Sequence, residues 1–397
     1  MDELCIRGVR LGNGEIADIA IESGSIARIA SDLPAMPGVP DLDGRGCLVI
    51  PGLVDGHAHL DKTLWGTAWH THRAGPTVID RIRNERQVLR DLELSPRLQS
   101  ERLLRHLVSR GTTHIRSHVD VGREMQLSHL HDIQDLAEAR RDLVDLQVVA
   151  FPQMGVMIEA GVLDLLEQAV VDGADGIGGL DPVGVDHDPE GQLNAVFAIA
   201  DRRGCFIDIH LHDRGEVGAQ TIEMIAERTR TLGLKSRVAI SHAFCLGALE
   251  PERLDAMIRL LRDNDIAVMT HGPSGGTPFP PIRTLAESGV RVFTGSDGVR
   301  DCWTPLNTGD MLERAYLLAY LSGFRDDAGL ELALRLATQG GADVMGAEAY
   351  GVAVGNQADL VLVPAENAAE AVVAHPLRRY VIKRGRVVAR DGSASFH

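Results

Sequence analysis

The sequence lacks the features that mark several broad classes of protein. Its five cysteines are scattered, odd in number and form no CxxC pair, which argues against a disulfide framework and a cysteine-based zinc site. Lys and Arg total 40 against 56 Asp and Glu, and the formal net charge of -16 argues against a nucleic-acid partner. No apolar run is long enough to span a membrane, and the first residues, MDELCIRGVRLGNGE, lack the basic and apolar blocks of a signal peptide. We therefore expect a cytoplasmic protein with neither a membrane nor a nucleic-acid partner.

Two kinds of hydrophobic patterning divide the chain. Apolar and polar residues alternate with glycine turns near the N-terminus and again in the C-terminal segments ADLVLVPAEN and YVIKRGRVVARDG, which predicts antiparallel strands of one small β domain. The RG pair in the last segment predicts a hairpin turn. Between these ends, apolar strands such as LQVVAFPQ, CFIDIHLH and RVAISHAF alternate with amphipathic helices over roughly 290 residues, which predicts parallel strands closed into a barrel.

Histidines and an aspartate end several of the predicted barrel strands. The first strand, CLVIPGLVDGHAHL, ends in His57 and His59, which point to the same side because residues two apart in a strand share a face. The fifth strand, CFIDIHLHD, offers His210, and the eighth, VRVFTGSDG, ends in Asp297. The carboxyl ends of parallel barrel strands meet on one face. These four residues are therefore predicted to bind a metal, and three imidazoles with a carboxylate suit Zn²⁺ or Fe²⁺.

Nearby polar residues are candidates for the chemistry. Asp297 could hold the metal through one carboxylate oxygen and take a proton from a metal-bound water with the other. His242, which ends the sixth strand in RVAISHAF, could polarise a developing oxyanion or pass the proton on. Asp213 could protonate the substrate, or could instead cap a loop or pair with Arg214.

Three further side chains are candidates for binding the substrate. The amide of Gln153 can both donate and accept hydrogen bonds. Lys62 could contact a carbonyl or carboxylate, and Trp303 could stack on a planar ring. Other histidines are given structural roles: His129 and His131, in the helical segment SHLHDI, are predicted to lie on the surface.

These motifs resemble those of the amidohydrolase superfamily, and within it the cytosine deaminase-like branch, over nearly the whole chain. PGLVDGHAHLDKT looks like the first-strand motif that carries two metal histidines, and LQVVAFPQMGV is similar to the segment with a substrate-contacting glutamine. IDIHLHD, ISHAF and TGSDGVRDCWTPLNTGDML match the segments that supply a third metal histidine, a catalytic histidine and a metal aspartate. The resemblance implies a distorted (β/α)8 TIM barrel over residues 51–345, with a small β-sandwich domain formed by residues 1–50 and 346–397.

The departures from this branch lie around the substrate. The cytosine enzymes have glutamate where Asp213 stands, a second aspartate where Gly298 stands, and no equivalent of Lys62, which looks more like the lysine of relatives that remove N-alkylamines from triazines. Strand seven ends in His271 and a glycine-rich stretch instead of the branch's apolar Asn-Pro segment. His271 could face the substrate or pack within its loop. The predicted metal residues match those of the branch, and the differences are confined to residues expected to contact the substrate.

The sequence thus predicts a hydrolase that uses one divalent metal ion, Zn or Fe(II), and metal-activated water to deaminate an aminated N-heterocycle. The substrate would be a small cytosine-like or triazine-like molecule that releases ammonia or an amine; the alternative is the opening of a cyclic amide or lactam. One metal is expected because FPQMGV and GADGIGGLDPVG contain no lysine, the residue that binuclear relatives carboxylate to bridge two metals.

The sequence pattern does not fit two other classes of protein. A metal-binding scaffold without catalysis predicts erosion at His242 or Asp297, and both residues are present. The small zinc cytidine-deaminase fold is excluded because its HxE and PCxxC signatures are absent. Family likeness predicts a homo-oligomer.

Overall fold

The computed structural model describes residues 3–35, 37–273 and 275–395. Its β-strands divide between two sheets. They are β1 (Leu4–Arg10), β2 (Ile16–Glu22), β3 (Ser25–Ala30), β4 (Asp41–Asp43), β5 (Leu48–Pro51), β6 (Leu53–Ala58), β7 (Thr112–Asp120), β8 (Asp145–Phe151), β9 (Gly176–Leu180), β10 (Phe206–His210), β11 (Val238–Ser241), β12 (Ala267–Met269), β13 (Val292–Phe293), β14 (Leu360–Val363), β15 (Tyr380–Lys383), β16 (Arg386–Arg390) and β17 (Ser393–Ala394).

Helices follow the strands from β6 to β13 and return the chain to the next strand. They are α1 (Val78–Leu92), α2 (Pro96–Ser109), α3 (Ser128–Ala139), α4 (Val162–Val171), α5 (Pro189–Arg203), α6 (Gly215–Thr231), a 3₁₀ helix (Phe244–Ala248), α7 (Pro251–Asp263), α8 (Ile282–Glu287), α9 (Met311–Leu321), α10 (Asp327–Leu336), α11 (Gln339–Met345) and α12 (Ala368–Ala374). Within the described ranges, none of these helices combines the length and apolarity needed to cross a membrane.

Strands β6 to β13 form a parallel barrel in their order along the chain. The barrel closes where Ala58 pairs with Asp297, whose backbone N–H donates to the carbonyl oxygen of His57 at 2.7 Å. Gly295 permits this approach, because a Cβ there would lie 2.4 Å from the backbone nitrogen of His57. Closure of the barrel therefore places the Asp297 backbone directly beside His57.

Burial explains why strands and helices alternate in the barrel. Strand β7 is buried at every position, as expected for a parallel strand covered on both faces. Helix α2 buries Leu103, Leu104 and Leu107, whose spacing of three to four residues puts them on one face. Each such leucine contributes roughly 1.5–3 kcal/mol when removed from water. The barrel expected from the sequence pattern is confirmed.

The second sheet joins the two ends of the chain. It is mainly antiparallel, with the strand order β17-β16-β15-β14-β5-β1-β2-β3, and β4 pairs with β1. Apolar side chains of its N-terminal strands, such as Ile6 and Ile19, share one buried cluster with Leu360 and Ile382 of its C-terminal strands. The sheet thus folds over its own core, which confirms the predicted β sandwich.

The border between the two sheets lies at Gly52. Leu48–Pro51 belongs to the sandwich and Leu53–Ala58 to the barrel, so the segment predicted as one first strand is two strands in different sheets. A Cβ at Gly52 would lie 2.1 Å from the Thr113 hydroxyl oxygen. The chain can therefore pass from one sheet to the other at this point only because residue 52 has no side chain. We keep the domain boundaries, residues 1–50 with 346–397 and 51–345, as a proposal.

Candidate metal centre and active site

Buried polar residues meet at the carboxyl ends of the barrel strands around a cavity of about 430 Å³, which we call the inner cavity. His57 lies fully buried beside this cavity, whereas Asp213 and His271 are absent from its lining in the described part of the chain. The inner cavity is lined by His59, Lys62, Phe151, Gln153, Leu180, His210, His212, His242, Asp297, Gly298, Asp301, Trp303 and Thr304.

The hydrogen bonds of His57 fix its tautomer. Its Nδ1 lies 2.9 Å from the Ser241 hydroxyl oxygen, and that hydroxyl donates its hydrogen to Asp208 Oδ1 at 2.6 Å. A hydroxyl has one hydrogen to give, so Ser241 must accept the Nδ1–H of His57. The Nε2 atom of His57 therefore carries a lone pair, and it has no hydrogen-bond partner among the described residues.

His59 is oriented in the same way by a backbone carbonyl. Its Nδ1 lies 3.1 Å from the carbonyl oxygen of His118, which can only accept, so the proton sits on Nδ1. The Nε2 lone pair of His59 then faces His210 Nε2 at 3.4 Å and Asp297 Oδ1 at 3.4 Å. His57 Nε2 lies 3.8 Å from the same Asp297 oxygen.

These separations fit a single metal ion. Four ligands at the usual 2.0–2.1 Å from zinc stand roughly 3.3–3.4 Å apart at the corners of a tetrahedron. Burial, reinforced by the neighbouring histidines, lowers the pKa of His57 and of His210 well below the ordinary value, which keeps both imidazoles in the neutral form that binds metal. The His57 and His59 Nε2 atoms and the Asp297 carboxylate oxygen are therefore ligand atoms of the kind and spacing that one divalent cation uses.

The Ser241 hydroxyl that contacts His57 is itself held by a buried group of charged residues. Asp208, which accepts from Ser241, also lies 3.3 Å from Arg116 Nη1 and 3.5 Å from His118 Nε2. All of these groups are buried, so the Asp208 charge is neutralised within the protein. Such carboxylate–hydroxyl–histidine chains hold a metal ligand in one orientation.

Lys62 and Gln153 form the polar wall of the inner cavity. Lys62 Nζ donates to Asp120 Oδ1 and to Gln153 Oε1, both at 2.8 Å, and lies 3.8 Å from Glu85 Oε1. Burial opposes the charge, yet Asp120 and Glu85 raise the pKa of Lys62, so it stays an ammonium. Because the Gln153 oxygen is used by Lys62, the amide NH₂ is the group that Gln153 has left for a ligand.

His212 and Asp181 are functional candidates that sequence reasoning did not select. Asp181 Oδ2 lies 2.8 Å from His212 Nδ1, and Asp181 Oδ1 accepts the backbone N–H of His212 at 2.5 Å. Burial opposes protonation, but the Asp181 carboxylate raises the pKa of His212 above its ordinary value. The signal was available in the sequence, since Asp181 directly follows β9 and Asp297 likewise lies in the loop after the last barrel strand.

Asp213 does not line the inner cavity. Its Oδ2 accepts the backbone N–H of Gly184 at 3.2 Å, which matches the loop-capping interpretation. Burial and the nearby Asp181 raise the pKa of Asp213. Its role as an acid stays a prediction, and His212 is the group that lines the cavity.

The Asp301 carboxylate fills the space beside Gly298. A Cβ built on Gly298 would lie 1.7 Å from Asp301 Oδ2, so a side chain at position 298 and the Asp301 carboxylate exclude each other. Asp301 Oδ1 accepts the backbone N–H groups of Trp303 and Thr304, both at 2.9 Å. The inner cavity therefore has a carboxylate from residue 301. Comparing residue 298 alone with its counterpart in the cytosine enzymes could not reveal this carboxylate.

His242 and His271 meet beside Asp297. Their Nδ1 atoms lie 3.2 Å apart, and His271 Nδ1 lies 3.8 Å from Asp297 Oδ2. His242 and Asp297 both have positive φ angles, 71° and 62°, a conformation that non-glycine residues adopt at a cost of order 1–3 kcal/mol. The two strained residues, His242 and Asp297, both line the inner cavity.

A parallel (β/α)8 barrel whose strand ends gather three imidazoles, a carboxylate and a polar cavity defines a metal-dependent hydrolase. The chain belongs to the amidohydrolase family, since the model of that family matches residues 91–389. It is 31% identical to N-isopropylammelide isopropyl amidohydrolase of Pseudomonas sp. (strain ADP), over 98% of each chain.

Comparison with solved structures assigns the chain to the same family. A crystal structure of N-isopropylammelide isopropylaminohydrolase from Burkholderia multivorans ATCC 17616 superposes with a TM-score of 0.96 at 44% identity, covering 99% of this chain and 100% of the other. A 5-methylcytosine deaminase from Klebsiella pneumoniae liganded with 5-fluorocytosine follows with a TM-score of 0.87 at 26% identity, covering 99% of both chains. The predicted resemblance to the cytosine deaminase-like branch is confirmed.

Proposed function

We propose that this chain is a mononuclear-metal hydrolase that deaminates an aminated N-heterocycle and releases ammonia or an amine. The observation that carries the proposal is the convergence of His57 Nε2, His59 Nε2, His210 Nε2 and Asp297 Oδ1 beside a cavity with hydrogen-bond donors on its opposite wall. The relatives named above are hydrolases of such compounds by their names. The partner is thus a small heterocycle, and we retain a homo-oligomeric, cytoplasmic enzyme without nucleic acid or membrane as part of the proposal.

The metal would be one Zn or Fe(II) ion, held by His57, His59, His210 and Asp297. When bound, such an ion acidifies a water molecule and makes it a nucleophile at neutral pH. Asp297 has one oxygen among the histidine Nε2 atoms and the other 3.8 Å from His271 Nδ1. We therefore assign Asp297 Oδ2 to take the proton from the attacking water.

Lys62 and Gln153 would hold the heterocycle. Both present hydrogen-bond donors, since Lys62 is an ammonium and the Gln153 oxygen already accepts from it. Two donors side by side suit an edge with acceptors, such as a ring carbonyl next to an unprotonated ring nitrogen. The ring of Trp303, which lines the same cavity, gives a planar apolar wall.

His212 and His242 would manage the remaining protons. Their rings stack with centroids 4.4 Å apart, and both line the inner cavity. Asp181 favours the protonated form of His212, so His212 can donate a proton to the substrate or to the leaving amine. His242, fully buried, is assigned to polarise the developing oxyanion, as predicted from the sequence.

The proposal is tested by assaying the metal-loaded enzyme against aminopyrimidines, aminotriazines, pterins and cyclic amides. Ammonia or amine release should be seen with at least one aminated ring that carries a carbonyl beside a ring nitrogen. A Gln153→Glu variant, which replaces the donor NH₂ with an acceptor, should lower turnover, whereas Gln99→Glu, at a buried glutamine outside the cavity, should retain it. If no compound releases ammonia or an amine while a lactam ring opens, the deaminase proposal fails and the cyclic amide hydrolase remains.

A further inference from the structure

A second cavity opens from the inner one toward solvent. We call it the outer cavity; its space, about 1850 Å³ including the part open to solvent, is shared at His212, Asp297, Gly298, Trp303 and Thr304 with the inner cavity. Lys62 and Gln153 line only the inner cavity. A substrate held by Lys62 and Gln153 at one end would therefore extend into the outer cavity at the other.

The charged side chains that line the outer cavity are almost all positive. They are Arg81, Arg214 and Arg314, and the one carboxylate among the described lining residues is the proposed metal ligand Asp297. In this acidic protein, many arginines form ion pairs with carboxylates. Among the described residues, no such pair within 4.0 Å involves these three.

The acidic residues next to these arginines are engaged elsewhere. Asp80, one residue before Arg81, closes the cap of α1 by accepting from the Thr77 hydroxyl at 2.6 Å. Glu216, two residues after Arg214, pairs with Arg253 at 2.6 Å. Asp213 accepts a backbone N–H, as described above. Arg81 Nε donates to the Gly75 carbonyl at 3.1 Å, but among the described residues no carboxylate within 4.0 Å neutralises Arg81 or Arg214, so their positive charge can be paired by a ligand.

Further hydrogen-bond donors point to the same chemistry. Arg314 is nine-tenths buried, and its Nε has no hydrogen-bond partner among the described residues although Nη1 donates to the His271 carbonyl at 2.6 Å. Helix α6 begins at Gly215 with no side-chain cap, so its first N–H groups are also open to an acceptor. Arg81 sits above the Trp303 ring, with its guanidinium carbon 5.9 Å from the ring centre.

We propose that the natural substrate carries an acidic substituent, a carboxylate or a phosphate, which lies in the outer cavity and is bound by Arg81 and Arg214. This inference rests on the proposed deaminase function, because it identifies what the heterocycle carries on the side that points away from Lys62. Guanidinium groups bind both anions through paired N–H donors. Apolar side chains such as Phe244, Leu306 and Tyr320 line other parts of the same cavity and suit the arm that carries the acid.

The test compares acidic and neutral probes of equal length. N-(carboxyalkyl) and N-(phosphonooxyalkyl) derivatives of an aminotriazine carbonyl compound are measured beside the corresponding carboxamide, by calorimetric binding and by amine release. We expect the acidic probes to bind roughly 10- to 100-fold more tightly than the carboxamide, the effect of one or two hydrogen bonds to a charged group. The better of the two acidic probes decides between carboxylate and phosphate.

Matched variants locate the effect. The double variant Arg81→Gln with Arg214→Gln should remove the preference for the acidic probe, measured as the ratio of the two dissociation constants. Arg259→Gln, at an exposed arginine of α7 outside the cavity, should keep the ratio. Equal binding of acidic and neutral probes, or a preference that survives in the double variant, overturns the proposal. If acidic probes bind better but no probe releases an amine, the anion site stands and the deaminase function fails.

Discussion

Two buried groups of histidine and aspartate lie at opposite ends of this barrel. The metal cluster, at the carboxyl ends of the strands, consists of His57, His59, His210 and Asp297. The lysine cluster, at the amino ends and against the sandwich, consists of His114, Asp145, Asp359 and Lys383. Ligand atoms lie within 4.8 Å of one another among His57, His59 and Asp297 in the first group, and among His114, Asp145 and Asp359 in the second. The two groups differ in whether the protein itself supplies a cation.

The lysine cluster already contains its cation. Lys383 Nζ lies 2.7 Å from Asp145 Oδ2 and 2.6 Å from Asp359 Oδ2. His114 Nε2 lies 3.3 Å from the same Asp145 oxygen, and burial together with Lys383 lowers the pKa of His114 to about 4. The ammonium thus neutralises both carboxylates beside a neutral imidazole, and the cluster joins β7 and β8 of the barrel to β15 of the sandwich.

The metal cluster has no such partner. Among the described residues, no Lys or Arg forms an ion pair with Asp297, and the His57 and His59 lone pairs converge on its oxygen. A group of histidines and aspartates within ligand distance of one another therefore predicts a metal site only under one condition. The condition is that no Lys or Arg of the protein lies between their ligand atoms. The predictions below test that difference.

The largest effect is expected from Asp297→Asn. Loss of the oxygen that takes the proton should lower kcat by about 10²- to 10⁴-fold, as for removal of a general base. Steady-state amine release, normalised to metal content, measures this. The matched change Asp145→Asn in the lysine cluster should leave kcat per metal-loaded chain near that of the parent. Normal turnover by Asp297→Asn at normal metal content would remove Asp297 from the role of base.

A large effect on stability is expected from Lys383→Met. The change leaves the buried Asp359 without an ammonium partner, while Asp145 keeps its ion pair with Arg384, and it should lower the free energy of unfolding by about 3 kcal/mol. Urea unfolding measures the change, and Lys235→Met, at an exposed lysine that bonds only a backbone carbonyl, is the control. A loss no greater than in the control would show that Lys383 does not neutralise the cluster.

A smaller effect is expected from Ser241→Ala. His57 would lose the acceptor that fixes its tautomer, and metal affinity should fall by about 10- to 100-fold. Competition with a chelator of known affinity gives the value. Ser109→Ala, which removes a hydroxyl bonded to the backbone of α2, should leave the affinity unchanged. Equal affinities in the two variants would mean that the Ser241 contact does not orient the ligand.

The barrel and the proposed metal ligands could be predicted because both depend on local pattern. Strand periodicity places His57 and His59 on one face, and parallel strands carry His210 and Asp297 to the same end. These are consequences of short segments, so they need no knowledge of how distant parts of the chain meet. Which of these residues bind metal stays a prediction.

Contacts between side chains that are distant along the chain could not be predicted from the sequence. His129 was predicted to lie on the surface, and that is wrong: its side chain is 17% exposed and its Nδ1 lies 2.9 Å from Asp61 Oδ2. The place of Asp301 beside Gly298 depends on the path of one loop, and the lysine cluster joins residues from both domains. Spacing along the chain contains none of these contacts.

The central claim is that His57, His59, His210 and Asp297 hold one divalent ion. Its most direct test is the metal-to-chain ratio, by atomic emission, of the purified enzyme and of His210→Ala and His114→Ala variants with unchanged circular dichroism. We predict one equivalent of zinc or iron in the parent and in His114→Ala, and little in His210→Ala. Two equivalents in the parent, or full metal content in His210→Ala, would contradict the account.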